Sequence, residues 1–386
     1  MPSRLSDAFK SHPVHIHHKH LDFNSVQELP DSYAWSQVDD HYPNCHDVDS
    51  FGASESVPII DLADPNALKL IGHACKTWGV FQVTKHGISK NLLDDIESLG
   101  RTLFSLPVQD KLKAARSPEG VSGYGFARIS SFFPKLMWSE GFTIVGSPHD
   151  HFRQLWPHDH SEFWYCLTQT MHVGIIEEYK KEMNRLAGKL MWLMLGSLGI
   201  SKSDIKWAGP KGEFKGATAA LQLNSYPACP DPDRAMGLAA HTDSTLLTIL
   251  HQNTTSGLQV QREGTAGWVT VPPIHGALVI NVGDLLHILS NGMYPSVLHR
   301  AVVNRSCHRL SIAYLYGPPE SVQISPLSRL VSRSHPPLYR SVTWNEYLGT
   351  KAKHFNKALS SVRLFSPVTL NGFADVNDHH NRVKVG

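Results

Sequence analysis

Apolar and polar positions change their period more than once along this chain. Residues 57–61 form a short apolar run of strand length. Residues 67–78 then place Leu68, Ile71, Cys75 and Trp78 at helical spacings. Val80-Phe-Gln-Val83 reads as a second strand, closed by His86-Gly87. Residues 92–104 repeat the helical period through Leu92, Ile96, Leu99 and Leu103, and Pro107 stops them. The clearest helix covers 175–198, where Ile176, Tyr179, Met183, Leu186, Leu190 and Leu193 recur at threes and fours. Such a stripe is a core face.

From 217 to 325 the texture changes. Short apolar runs at 219–223, 245–250, 258–260, 268–271, 277–282, 298–303 and 310–316 are separated by Gly, Pro and Asn turns. Short strands at this spacing predict two packed antiparallel sheets. One further helix is expected over 344–358, before a polar end. The expected fold is therefore mainly β with flanking helices: a double-stranded β-helix (jelly-roll) core with an α/β N-terminal region. The expected division is a polar extension over 1–56, an α/β region with a long support helix over 57–205, the jelly-roll core over 206–325, and a C-terminal helix and tail over 326–386.

Composition narrows the function classes. With 41% hydrophobic and 18% charged residues, the chain is expected to fold over most of its length. Its 36 Lys and Arg nearly balance 34 Asp and Glu, which gives no electrostatic case for nucleic acid or a membrane surface as partner. Five scattered cysteines without a CxxC fit neither a disulfide framework nor a Cys-rich zinc site. A reducing compartment follows, cytoplasmic with the nucleus also open. The first 13 residues lack the apolar core of a secretory signal, and the apolar stretch at 190–200 is too short to span a bilayer. His12, His15, His17, His18 and His20 read as a solvated tail rather than a metal site. A monomer is the expectation.

Candidate chemistry lies in the β-rich part. In a strand, His241 and Asp243 of His-Thr-Asp would share one face. His299, in Tyr294-Pro-Ser-Val-Leu-His-Arg300, is the best third donor, with enough chain between for several strands to return beside the first. Two histidines and one carboxylate leave an open face on an octahedral metal, which suits Fe(II) and O2 chemistry. Zinc is the alternative. Arg309 and Ser311 would also share a strand face, and a guanidinium beside a hydroxyl suits the far end of a dicarboxylate.

With these residues in place, the sequence resembles the plant 2-oxoglutarate-dependent dioxygenases. The matching pieces are His241-x-Asp243 with His299, Arg309-x-Ser311, Asn224-Ser-Tyr226-Pro227, and Trp78-Gly-Val-Phe-Gln82 with His86-Gly87. The resemblance implies that His241, Asp243 and His299 are catalytic ligands of Fe(II). It implies that Arg309, Ser311 and Tyr226 hold 2-oxoglutarate, with Asn224 beside it. O2 is the second co-substrate, and ascorbate keeps the iron ferrous. Segments 122–138, 140–144, 338–344, 19–24 and 29–33 resemble gibberellin 3-beta-hydroxylases more closely. That implies C-3 hydroxylation, on the β face, of a gibberellin precursor to a bioactive gibberellin, with succinate and CO2 as co-products. Tyr124, Arg128, Phe132, Phe133, Trp138 and Tyr316 are the candidates for the substrate pocket. A gibberellin 2-oxidase, an oxidase that spares 2-oxoglutarate and a non-catalytic jelly-roll gibberellin binder are the alternatives. The chain departs from the pattern at Val80 and Lys85, commonly Phe and Asn, and at 164–173, which reads as an insertion ahead of the long helix.

Overall fold

The computed structural model describes residues 8, 21–23, 25–36, 56–155, 163–262, 264 and 267–364. The histidine cluster at 12–20 lies outside them. In chain order the strands are β1 (Ile59–Asp61), β2 (Val80–Thr84), β3 (Gly123–Gly125), β4 (Glu140–Val145), β5 (Thr218–Tyr226), β6 (Met236–His241), β7 (Leu247–Gln252), β8 (Leu258–Gln261), β9 (Val269–Thr270), β10 (Leu278–Val282), β11 (Leu298–Val302), β12 (Arg309–Gly317), β13 (Gln323–Ile324) and β14 (Val342–Thr343). The helices are α1 (Ala67–Thr77), α2 (Lys90–Ser105), α3 (Val108–Lys113), α4 (His149–Leu155), α5 (Phe163–Ser197), α6 (Asp284–Leu289), α7 (Trp344–His354) and α8 (Ala358–Ser361).

An eight-stranded sheet in the order β1-β2-β10-β7-β12-β5-β4-β3 and a four-stranded sheet in the order β6-β11-β8-β9 form the jelly roll. Early strands extend the large sheet at both ends, because β2 pairs with β10 and β4 pairs with β5. The large sheet is covered on both faces, so its strands read as near-continuous apolar runs. On β12, Leu310, Ile312, Tyr314 and Tyr316 join the core beneath α2 and α5. Arg309, Ser311, Ala313 and Leu315 face the space between the two sheets.

The long helix departs from its expected start. It begins at Phe163 and takes in the segment that reads as an insertion. Its stripe runs as expected through Ile176, Tyr179, Met183, Leu186 and Leu190, but Leu193 is only half-buried and Met194 takes the core position. In α1 the core face is Ala67, Ile71, Ala74 and Cys75; Leu68 falls to the side of that stripe and is 39% exposed. Gly72 lets α1 approach α5 closely, since a Cβ there would lie 2.6 Å from the Ser197 Cβ. Lys85 adopts φ 48°, a left-handed conformation better suited to the Asn usual at that position. Two strands beside the site, β4 and β6, are absent from the periodicity reading because their apolar runs are broken by Gly and Ala.

Candidate active site

Strands β6 and β11 pair antiparallel with His241 opposite His299, which brings the two ring centroids to 4.3 Å. The expectation that Asp243 shares a strand face with His241 does not hold, because β6 ends at His241. Asp243 instead sits in the following turn. That turn is fixed by the Asp284 N–H donating to the Asp243 carbonyl at 2.8 Å. Gly283 allows the close approach: a Cβ there would lie 2.2 Å from the Thr245 carbonyl oxygen. One Asp243 oxygen, Oδ1, lies 3.8 Å from His241 Nε2 and 3.7 Å from His299 Nε2. The three donor atoms fall within 4.8 Å of one another.

Both imidazoles face the backbone with the other nitrogen. His241 Nδ1 contacts the Ala239 carbonyl at 2.8 Å and His299 Nδ1 the Val297 carbonyl at 3.2 Å. A carbonyl only accepts, so each Nδ1 carries the proton and each Nε2 keeps its lone pair for a metal. Burial, reinforced by the nearby His299, pushes His241 down to about 4. Burial works against ionisation of Asp243, but His299 and His241 outweigh it and hold the carboxyl below its usual range. At neutral pH His241 is therefore neutral and Asp243 ionised, as a divalent metal requires.

Beside this cluster, β12 pairs Arg309 with Tyr226 and Ser311 with Asn224 of β5. Arg309 is only 2% exposed. Its Nη2 donates to Gln252 Oε1 at 2.9 Å, and its guanidinium lies 5.0 Å from the Tyr226 ring centroid. Its Nε has no partner, and none of its contacts is a carboxylate. Burial lowers the Arg309 pKa and raises that of Tyr226. A buried cation with a spare donor and neutral neighbours is built for an incoming carboxylate. Arg309, Ser311, Tyr226 and Asn224 all line the cavity that holds His241, Asp243 and His299.

That cavity encloses about 310 Å³ between the sheets. Of the substrate candidates, Arg128 and Phe132 line it. Phe132 stacks on Phe355 with centroids 4.8 Å apart. The other four are engaged elsewhere. Tyr124 donates to Glu140 at 2.6 Å, inside a buried ion pair between Glu140 and Lys111. Phe133 packs between Trp35 and Phe355. Trp138 is fully buried against Phe23 and Tyr33, with its Nε1 donating to the Pro227 carbonyl. Tyr316 faces the helix layer, since strand parity puts Leu315 in the cavity.

The sequence reading misses several lining residues. Arg116, just after α3, has its N–H on the Tyr124 carbonyl, while its guanidinium donates to the Phe126 carbonyl and lies 3.5 Å from Thr143 Oγ1. Burial lowers it to about 10. Burial, and then the charge of Arg116, lower Arg128 to about 9. Thr143 donates to Gln222, which donates to Asn224 at 3.0 Å, so a polar chain runs along the cavity floor toward Arg309. Gln222, Asn224 and Tyr226 alternate on β5, and that period was the available signal. Trp344, Leu348 and Lys351 enter the wall from α7; Trp344 ends the 338–344 segment, while no motif marks Leu348 or Lys351.

Comparison with known proteins agrees with this geometry. Residues 217–318 match the 2OG-Fe(II) oxygenase superfamily, and residues 57–165 match the N-terminal region described for a non-haem dioxygenase in morphine synthesis. The chain is 65% identical to gibberellin 3-beta-dioxygenase 1 of Pisum sativum, over 100% of both chains. It is 58% identical to gibberellin 3-beta-dioxygenase 1 of Arabidopsis thaliana, over 94% of this chain and 99% of that one. The crystal structure of JOX2 in complex with 2OG, Fe and JA superposes with a TM-score of 0.71 at 32% identity, covering 85% of this chain and 92% of that one. The chain thus belongs to the 2OG-Fe(II) oxygenase superfamily and, within it, to the family of gibberellin 3-beta-dioxygenases.

Proposed function

We propose that this enzyme hydroxylates C-3 of a gibberellin precursor on its β face, consuming 2-oxoglutarate and O2 and releasing succinate and CO2. Its cofactors are those of its family, Fe(II) with 2-oxoglutarate. The observation that carries this reading is the convergence of a two-histidine, one-carboxylate cluster and a buried Arg309 in one cavity with mainly apolar walls. The names of the relatives supply the substrate class.

The geometry supports the following residue roles. His241, Asp243 and His299 hold Fe(II) through two Nε2 atoms and one carboxylate oxygen. When bound, the iron activates O2 at the expense of 2-oxoglutarate decarboxylation. Arg309 takes the distal carboxylate of 2-oxoglutarate, assisted by Ser311 and Tyr226, and Asn224 lies alongside. The gibberellin, a rigid and mostly apolar acid, is held by Val121, Ile129, Phe132, Leu238 and Leu348, which also exclude water. Arg116 and Arg128 take its carboxylate: they are close enough to repel, and an anion between them relieves that repulsion. Buried free thiols at Cys75 and Cys229 support placing the enzyme in the cytoplasm, where we take it to act as a monomer. No described helix is long and apolar enough to cross a membrane.

An aerobic assay with Fe(II), ascorbate, 2-oxoglutarate and a gibberellin lacking the C-3 hydroxyl, read by mass spectrometry, tests the whole reading. Succinate in step with a 3β-hydroxylated product is expected. A 2β-hydroxylated product would move the regiochemistry, and absence of succinate would favour an oxidase or a binding protein.

A further inference from the structure

Behind the metal turn lies a second buried cluster that the reaction does not use. Asp284, at the start of α6, is fully buried. Its Oδ2 accepts from Lys351 Nζ at 2.8 Å, from Tyr347 Oη at 2.8 Å and from Thr242 Oγ1 at 3.1 Å. Lys351 Nζ also donates to Thr242 Oγ1. Lys351 and Tyr347 are one turn apart on α7, so they present one face to Asp284. Thr242 stands between the proposed ligands His241 and Asp243, and the Asp284 N–H holds the Asp243 carbonyl. Helix α7 is at the same time a wall of the substrate cavity, through Trp344, Leu348 and Lys351. Just beyond its end, Phe355 stacks on Phe132 from the opposite wall.

We propose that Lys351 is a positioning residue: with Asp284 it clamps the Thr242–Asp243 turn to α7, so that the outer wall of the cavity and the carboxylate ligand of the metal are set as one body. The inference rests on the reading of His241, Asp243 and His299 as iron ligands. Its physical basis is the geometry of the shared acceptor. Asp284 Oδ2 collects donors from two elements, the turn after β6 and α7, and Lys351 bridges them by reaching both Asp284 and Thr242. Thr242 is the only residue between the two ligands, so a displacement of its side chain rotates the backbone that carries Asp243. A charged pair serving only to stabilise the fold has no need to engage that hydroxyl.

The charges must be separated from the positioning in any test. Lys351→Met alone strips the buried Asp284 of its cation, which destabilises the fold and changes the charge beside the metal turn. Lys351→Met with Asp284→Asn removes both charges, so the net field at the metal is nearly preserved. Apo-enzyme of the wild type, K351M, K351R and the double variant K351M/D284N would be titrated anaerobically with Fe(II), with Tm measured alongside. Removal of groups that orient metal ligands typically weakens metal binding by about 10–100-fold. The double variant is therefore expected to regain most of the Tm lost in K351M yet bind Fe(II) at least about tenfold more weakly than wild type. K351R, which keeps charge and reach, is expected to restore binding. A double variant that recovers both Tm and wild-type Fe(II) affinity would overturn the proposal and leave the cluster a stabilising ion pair. Asp243→Ala serves as the control for the underlying site: undiminished Fe(II) binding there would mean that the ligand assignment itself had failed.

A second readout distinguishes the clamp from general loosening. In the assay with substrate, a misplaced wall lets 2-oxoglutarate be decarboxylated without hydroxylation of the gibberellin, ascorbate supplying the two electrons that the substrate would have given. The ratio of succinate to hydroxylated product is expected to rise severalfold in K351M/D284N and to return toward the wild-type value in K351R. A ratio equal to that of wild type in the double variant would count against the clamp.

Discussion

The two ends of the cavity are made differently. At the cofactor end, every group comes from paired strands or from the turn that leaves them: His241 faces His299 across β6 and β11, and Arg309 faces Tyr226 across β12 and β5. Register hydrogen bonds fix these positions, and His241, His299 and Arg309 each have a backbone or amide partner that orients the side chain. At the substrate end, the wall is assembled from a turn after α3, the 128–132 segment and helix α7, three pieces distant in sequence. The common chemistry sits on a frame that tolerates no slip, since a shift of one residue would turn Arg309 into the helix layer. The pieces proposed to meet the substrate can vary without disturbing that frame.

Perturbations should separate the two ends. The largest effect is expected from removing a proposed metal ligand: Asp243→Ala or His241→Ala should abolish turnover, as should chelation of iron, and measurable iron-dependent succinate formation by either variant would exclude that residue. Arg309→Ala comes next. Leaving a carboxylate without its buried partner costs about 3–5 kcal/mol, so KM for 2-oxoglutarate should rise by roughly two to three and a half decades. An unchanged KM would contradict the assignment. Arg116→Gln should act only at the other end. Hydrogen bonds to a charged group are worth about 1.5–3 kcal/mol, which is roughly a 10–150-fold rise in KM for the gibberellin with KM for 2-oxoglutarate constant; an equal rise in both would erase the distinction between the ends. Gly141→Ala should give a smaller effect, because the new Cβ would lie 2.7 Å from Gln222 Nε2 and push that amide along the cavity floor. We expect a severalfold loss of kcat/KM with little change in Tm. Tyr316→Phe should leave both KM values unchanged, because the ring packs in the core beneath the helices and not in the cavity.

What could be read from the sequence follows the same division. Strand parity correctly paired Arg309 with Ser311, because β12 is regular over nine residues. Tyr316, the pocket candidate on the same strand, is out of phase with Arg309 and Ser311 and so is a core tyrosine. His241 and Asp243 converge as expected but for a different reason, a turn held by Asp284 rather than strand alternation. Aromatic side chains between Tyr124 and Trp138 could not be sorted by pattern. Whether Phe132 lines a cavity while Phe133 packs on Trp35 depends on a short 3-10 turn. Arg116, just after α3, and Lys351, within α7, are charged residues that nothing local distinguishes from solvated ones. Only tertiary contacts bury them, and tertiary contacts are what a one-dimensional period does not carry.

The position of β2 has a consequence for the order in which the protein is made. Val83 of β2 pairs with Leu278 of β10, and β10 in turn lies between β2 and β7. As the chain leaves the ribosome, β1 and β2 can pair with each other, but the far edge of β2 stays open until most of the sequence has emerged. The eight-stranded sheet therefore closes late, and folding must be dominated by contacts of long sequence separation, which are slow to form and leave strand edges open to mispairing. Temperature or crowding at synthesis should then govern the yield of active enzyme more strongly than the stability of the finished fold.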